Sequence, residues 1–173
     1  ILIEPTIHGD NRGSFVETIR QDLFEEAIGY KVNFKQDNES RSTKGVLRGL
    51  HYQLPPYTQA KLVRVIEGNV LDVAVDLRKS SPTFGQHVSL ELTGQNKHQL
   101  LVPHGFAHGF VVLSDSATFA YKVDNYYAPE HDRGIAFDDD QLKINWQLSA
   151  EELQLSDKDK AHPSLANAID LFE

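Results

Sequence analysis

A histidine and a lysine stand one short connection apart, His51 in Arg48-Gly-Leu-His-Tyr-Gln53 and Lys61 in Gln59-Ala-Lys-Leu62, with the Pro55-Pro56 turn between them. An imidazole can take a proton near neutral pH, and a fixed ammonium can hold the anion that the proton leaves behind. For a lone histidine the plain alternative is a satisfied side chain inside a barrel. Lys61 alternates with Val63 and Val65; on a barrel interior it needs an anionic partner or loses its charge, and on a surface it is a solvated strand-start lysine. Arg48, His104 and His108 are expected on strands that converge with these two. On strict alternation His51 shares a face with Gly49 and Gln53 while Arg48 points away. Either Gly49 marks a bulge that redirects the chain, or Arg48 and His51 serve different walls.

Other polar groups carry weaker signals. Pro103-His-Gly-Phe-Ala-His-Gly-Phe110 places two histidines four apart, which reads as metal ligation, sugar hydrogen bonding or a polar turn entering a strand. Tyr121 shares its face with Phe119 and Val123, the pattern of a core tyrosine with a satisfied hydroxyl. Tyr126 and Tyr127 follow Asn125, off the strand, where a ring could close over a flat ligand. Gly9 to Phe15 and Gln36 to Asn38 read as polar loop patches.

The elements that must position these groups are mostly strands. Alternation marks 15–20, 46–52, 62–66, 70–77, 87–92, 99–102, 108–113 and 118–123. In Leu71 to Leu77 the period of two is nearly perfect, with Leu71, Val73, Val75 and Leu77 on one face and Asp72, Ala74 and Asp76 on the other. Turn signals at Glu67-Gly-Asn69, Ser80-Ser-Pro82 and Thr93-Gly94 recur as a sandwich or barrel requires. A short helix is predicted over 22–27, with Asp22 and Glu25 as a capping pair and Gly29 as its stop. Ser149 with Glu152 predicts a second capped helix near the C-terminus. The expectation is a single all-β domain over 1–173, a jelly-roll barrel with short terminal helices.

Composition narrows the function classes. A chain of 173 residues can bury one core, and a net charge of −8 argues against a nucleic-acid surface. No apolar run is long enough for a membrane span, and no signal-peptide pattern is expected at Ile1, so the cytoplasm is the expected location. Without cysteine there is no thiolate catalysis and no Cys-ligated zinc.

Five stretches together resemble the dTDP-4-dehydrorhamnose 3,5-epimerases: GDNRGSFVE (9–17), the run from Lys35 to Arg64 around RGLHYQ, VAVDLRKSSPTFG (73–85), LLVPHGFAHGFVVLSD (100–115) and YKVDNYYAPEHDRGIAFDD (121–139). The resemblance implies a cupin-like jelly roll, usually a homodimer, acting on dTDP-4-dehydro-6-deoxy-D-glucose without a cofactor. It implies His51 as the base at C3 and C5, Asp159 as the carboxylate that orients it, Lys61 as the cation at the C4 enolate oxygen, and Tyr121 as the acid on the opposite face. It further implies substrate contacts from Arg12, Glu17, Gln36, Asn38, Arg48, His108, Tyr127, Asp132 and Lys158. The chemistry agrees with that division. A proton next to a ketone is too weakly acidic for imidazole unless the oxyanion is stabilised, and a phenol protonates an enolate better than it abstracts a proton.

No metal is expected. A metal-binding cupin wants a His-x-His pair followed by glutamate; here the pair is His51-Tyr-Gln53 and residues 55–58 hold no glutamate. Two imidazoles alone make a poor site for zinc or iron. Other readings are a single-carbon epimerase, a metal-dependent cupin and a non-catalytic sugar-binding cupin; the last could dispense with His51, Lys61 and Tyr121.

Overall fold

A computed structural model describes all residues from 1 to 173. Numbered in chain order, the strands form two five-stranded antiparallel sheets and one hairpin. The first sheet has the order β1 (Leu2–Ile3), β9 (Gln99–Val102), β6 (Lys61–Glu67), β11 (Ser116–Val123), β4 (Gln36–Thr43). The second has the order β12 (Asp132–Gly134), β5 (Leu47–Gln53), β10 (Phe106–Val112), β7 (Asn69–Asp76), β8 (His87–Thr93). β2 (Ile7–Asp10) and β3 (Gly13–Val16) pair only with each other. The sheets pack face to face through Val63, Val65 and Phe119 of the first and Val70, Phe110 and Val112 of the second. That packing makes the jelly roll expected from the strand spacing.

β7 is buried on both sides, which explains why its alternation is so clean. Leu71, Val73 and Val75 face outward and are covered by the chain after β12, including Ile135, Leu142, Trp146 and Leu165. Ala74 and the fully buried Asp72 face the barrel interior. The tail is therefore a second wall: Phe172 bridges to Arg78 and its ring lies 5.7 Å from that of Tyr52.

Several local expectations change. The 15–20 strand ends at Val16. Residues 36–38 are no loop, because the fully polar run Gln36–Thr43 is the edge strand β4, paired along its whole length with β11. The reason is tertiary: the ladder to β11 supplies hydrogen bonds that the residue types do not advertise. Helix α1 (Gln21–Ile28) stops at Gly29, as expected, with φ +81°, but its N-cap Arg20 makes no side-chain cap. Asp22 instead pairs with Arg20 at 2.9 Å and Glu25 accepts from Gln21 and from the Val32 amide. Ser149 and Glu152 do bond, at 3.1 Å, yet only a turn follows. The C-terminal helix is the one-turn α2 (Asp157–Lys160), capped by Ser156.

Candidate active site

The bulge at Gly49 decides the first question. Along β5 and β10, His51 pairs with His108 and Arg48 with Phe110, so Gly109 alone opposes Gly49 and Leu50. Gly49 sits at φ +133°, and a Cβ there would lie 2.5 Å from the Gly109 Cα, so only glycine fits. The extra residue brings Arg48 and His51 onto one face. Both line an inner cavity of about 290 Å³ with Lys61, His108, Phe110, Phe119, Tyr121 and Asp159.

A second, outer cavity of about 320 Å³ is lined by Gln36, Asn38, Gln59, Tyr127 and Asp132. His51, Lys61 and Tyr121 line both cavities, so they form the waist between them. His51 comes from the second sheet. Lys61 and Tyr121 come from the first, where Tyr121 pairs with Val63 and Lys61 with Val123, which puts them diagonally on one face.

His51 Nε2 lies 2.5 Å from Asp159 Oδ1, and only 5 % of Asp159 is exposed. Ser156 fixes the carboxylate: its hydroxyl donates to Asp159 Oδ2 at 2.9 Å and accepts from the Asp159 amide at 3.1 Å. Burial alone would raise the Asp159 carboxyl, but the His162 and His51 imidazoles and the Ser156 hydroxyl outweigh it and hold it well below the usual carboxylate range. With an ionised carboxylate at Nε2, that nitrogen carries the proton of a neutral His51 ring, and Nδ1 keeps its lone pair.

Lys61 is the opposite case. Burial pushes its ammonium down from 10.5 to about 8, offset only in part by the more distant Asp132 and Asp72. It makes no ion pair, so its charge is available to an anion entering the waist. Tyr121 is raised above the ordinary phenol value by burial, against the pull of the Arg48 cation.

The flanking residues form a connected frame. His108 Nε2 contacts both oxygens of Asp72, at 3.0 and 2.9 Å. Arg48 donates to Ser42 Oγ from Nε and Nη2, both at 3.2 Å. In the outer cavity the Gln36 amide donates to Asn38 at 2.8 Å and Tyr127 OH donates to Asp132 at 3.0 Å, while Lys158 reaches that same carboxylate from the wall of the inner cavity. Two expected contacts lie elsewhere in the single chain. Arg12 is on the β2–β3 hairpin, paired with Asp10 at 2.5 Å, and Glu17 lines a groove against α1. His104 also departs from the converging set: it sits in the turn before β10 and contacts Asp124 at 2.8 Å.

Sequence reasoning missed three residues. Ser156 was legible as the cap three positions before Asp159. Asp72 reads from sequence only as the polar side of a strand. Gln53 reads as a failed metal ligand, whereas its amide ties two loops, donating to the Tyr57 and Tyr126 carbonyls and accepting from the Ala128 amide at 2.7 Å. His51, Asp159 and His162 hold their donor atoms within 4.8 Å of one another. Two ligands on one zinc, with bonds of about 2.0–2.1 Å, sit ~3.3 Å apart. As they stand, His51 and Asp159 are 2.5 Å apart and hydrogen-bonded to each other.

A jelly roll whose two sheets present a His–Asp pair, a half-buried lysine and a tyrosine to one cavity defines a cupin-like fold. The dTDP-4-dehydrorhamnose 3,5-epimerase family matches residues 1–167, and the chain belongs to that family of isomerases. A dTDP-4-dehydrorhamnose 3,5-epimerase of Shigella flexneri is 57 % identical over 159 residues, covering 92 % of this chain and 87 % of that protein. The crystal structure of the Legionella pneumophila dTDP-6-deoxy-D-glucose-3,5-epimerase in complex with dTDP-4-keto-L-rhamnose is 54 % identical with a TM-score of 0.94, covering 99 % of this chain and 92 % of that one. A 3′-monoepimerase of Streptomyces bikiniensis in complex with dTDP-quinovose shares the fold at TM-score 0.90 but is 35 % identical, covering 96 % of this chain and 84 % of that one.

Proposed function

We propose that the chain epimerises dTDP-4-dehydro-6-deoxy-D-glucose at C3 and C5 to dTDP-4-dehydro-L-rhamnose, within dTDP-L-rhamnose biosynthesis, using His51, Asp159, Lys61 and Tyr121. The observation that carries this reading is that His51 and Tyr121 stand on facing sheets and line the same cavities, with Lys61 beside Tyr121. Inversion at carbon needs a base on one face of the sugar and an acid on the other, and side chains from facing sheets can supply both.

His51 Nδ1 removes the proton next to the C4 ketone, and Asp159 stabilises the imidazolium that forms. The electron pair moves onto O4, where the Lys61 ammonium meets it, a cation withdrawn from water. Tyr121 then gives a proton to the other face of the same carbon and is left as a phenolate near Arg48 and Lys61. Reprotonation of Tyr121 from solvent and loss of the proton from His51 reset the site, and the sequence repeats at the second carbon.

In this reading the outer cavity takes the nucleotide. Gln36, Asn38, Tyr127, Asp132 and Lys158 face the sugar and base, Arg48 meets phosphate or sugar oxygens, and His108 contacts the sugar from the inner cavity. The enzyme is a cytoplasmic single-domain protein acting as a homodimer. The β2–β3 hairpin supports the dimer: it pairs with neither sheet, leaves Phe15 69 % exposed, and carries Arg12 away from its own chain's cavity. A second copy could receive it, bringing Arg12 and Glu17 to the partner's nucleotide.

Proton NMR in deuterated water with the 4-keto sugar nucleotide tests the reaction. Exchange at both C3 and C5 that disappears in His51→Ala supports it. Exchange at one carbon makes the protein a single epimerase, and binding without exchange makes it a sugar-nucleotide binder. A solution mass of one chain by light scattering removes the dimer.

A further inference from the structure

His162 lies behind the His51–Asp159 pair, and nothing in the reaction above uses it. Its Nε2 is 3.5 Å from Asp159 Oδ1, the same oxygen that takes His51. The side chain is only 9 % exposed, and its buried Nε2 makes no hydrogen bond, its polar neighbour being that carboxylate oxygen at 3.5 Å. A buried ring nitrogen is costly without a polar partner, and the Asp159 carboxylate is the group placed to serve it when the contact tightens.

The packing around it is specific. The His162 ring meets the His51 ring edge-on, with centroids 5.5 Å apart at 80°. Gly134, which pairs with His51 across β12 and β5, also lies against the ring. A Cβ on Gly134 would lie 2.4–2.5 Å from three atoms of the His162 ring, so the glycine leaves the space that the imidazole fills. Asp159 itself sits on a helix of four residues, which cannot orient a carboxylate by its own rigidity. Its orientation is set by lateral contacts: Ser156 on Oδ2, and His51 and His162 on Oδ1.

We propose that His162 is a positioning residue for the epimerisation, sharing Asp159 Oδ1 with His51 so that both the carboxylate and the His51 ring are held in the orientation that aims Nδ1 into the cavity. A carboxylate oxygen has two lone pairs, one for each imidazole N–H. Without His162 the Asp159 carboxylate is held only by Ser156 and His51, and the pair can tilt together into the vacated space. Misplacement of a reacting group by a fraction of an ångström slows the chemical step while leaving the binding of the distant nucleotide unchanged.

The inference rests on His51 being the base, and the test separates the two. His51→Ala is the reference: if it keeps exchange at C3 and C5, the reading of the base fails whatever His162 does. With that loss established, His162→Phe should lower kcat about 10-fold, with KM and the affinity for dTDP within about twofold. His162→Gln, which keeps a neutral N–H donor, should recover most of the rate. The downfield proton resonance of the His51–Asp159 hydrogen bond should move in His162→Phe and return in His162→Gln. Gly134→Ala displaces the ring without altering it and should reproduce the Phe variant, which keeps the test open if His162→Phe folds poorly. Wild-type kcat in both His162→Phe and Gly134→Ala, or equal rates in the Phe and Gln variants, would overturn the proposal.

Discussion

Along its central strands β5, β10 and β7 the second sheet is largely buried on both faces, and the two faces are buried for opposite purposes. The outer face carries Leu71, Val73 and Val75 against Trp146, Leu142 and Leu165, a packed layer that is apolar except for the Tyr52 hydroxyl, which donates to the Asp170 carbonyl. The inner face carries Arg48, His51, Asp72 and His108 toward a cavity. One face stabilises by excluding water from hydrocarbon. The other holds ionisable groups out of water, which costs stability and makes their charges effective. The barrel thus carries its reactive chemistry on the side that a simple reading of alternation would leave to solvent, and relies on the C-terminal wall for much of its cohesion.

That contrast breaks most sharply at His51 and Leu71. His51→Ala should lower the epimerisation rate about 10³-fold while leaving thermal unfolding nearly unchanged, measured by NMR exchange and calorimetry. Leu71→Ala on the other face should do the reverse, costing about 2–5 kcal/mol of unfolding free energy with kcat retained in the folded fraction, as read by denaturant titration. Comparable stability losses in both variants would mean that the two faces are not separable.

Lys61 sharpens the comparison because one residue should show both effects. Its folded-state value of about 8 lies below the ordinary 10.5, so between these two limits the unfolded chain binds more protons than the folded one. The contribution of Lys61 to stability therefore rises as pH goes from about 8 to 10.5, and below about 8 the buried cation is destabilising. Lys61→Met should stabilise the fold by about 1–3 kcal/mol at neutral pH and lower the rate about 10²-fold. In the unmodified enzyme, kcat/KM should fall about tenfold per pH unit above pH ~8, as the ammonium is lost. A flat profile to pH 10 would show that O4 is stabilised by another group.

The smallest expected effect is at the mouth of the outer cavity. Tyr127→Phe removes the hydroxyl that donates to Asp132 at 3.0 Å and keeps the ring. An exposed bond of this kind is worth about 0.5–1.5 kcal/mol, so KM should rise several-fold at most with kcat unchanged. A large fall in kcat would move Tyr127 into the acid–base chemistry.

Much of this was legible in residue order. The period of two marked β5 to β11 to within a few residues, because a half-buried or wholly buried strand selects its side chains by face. Gly29 marked the end of α1, because a left-handed residue without a Cβ penalty closes a helix. That His51 and Lys61 line the same cavities was foreshadowed by their closeness along the chain, on strands that the Pro-Pro turn joins. The edge strand β4 was not legible: eight polar residues carry no apolar period, and their pairing partner lies far along the chain.

By itself the sequence determined which residue types were present, their alternation, and the motifs that place this chain in its family. Only the tertiary structure decided how they meet. Whether Arg48 and His51 share a wall depended on one extra residue at Gly49, a matter of register that alternation cannot express. That Asp159 meets His51 across 108 positions, with His162 beside it, depended on the C-terminal segment folding back over the sheet. A side chain's neighbours along the chain are fixed by covalent geometry, but its neighbours across the chain are chosen by the packing of the whole.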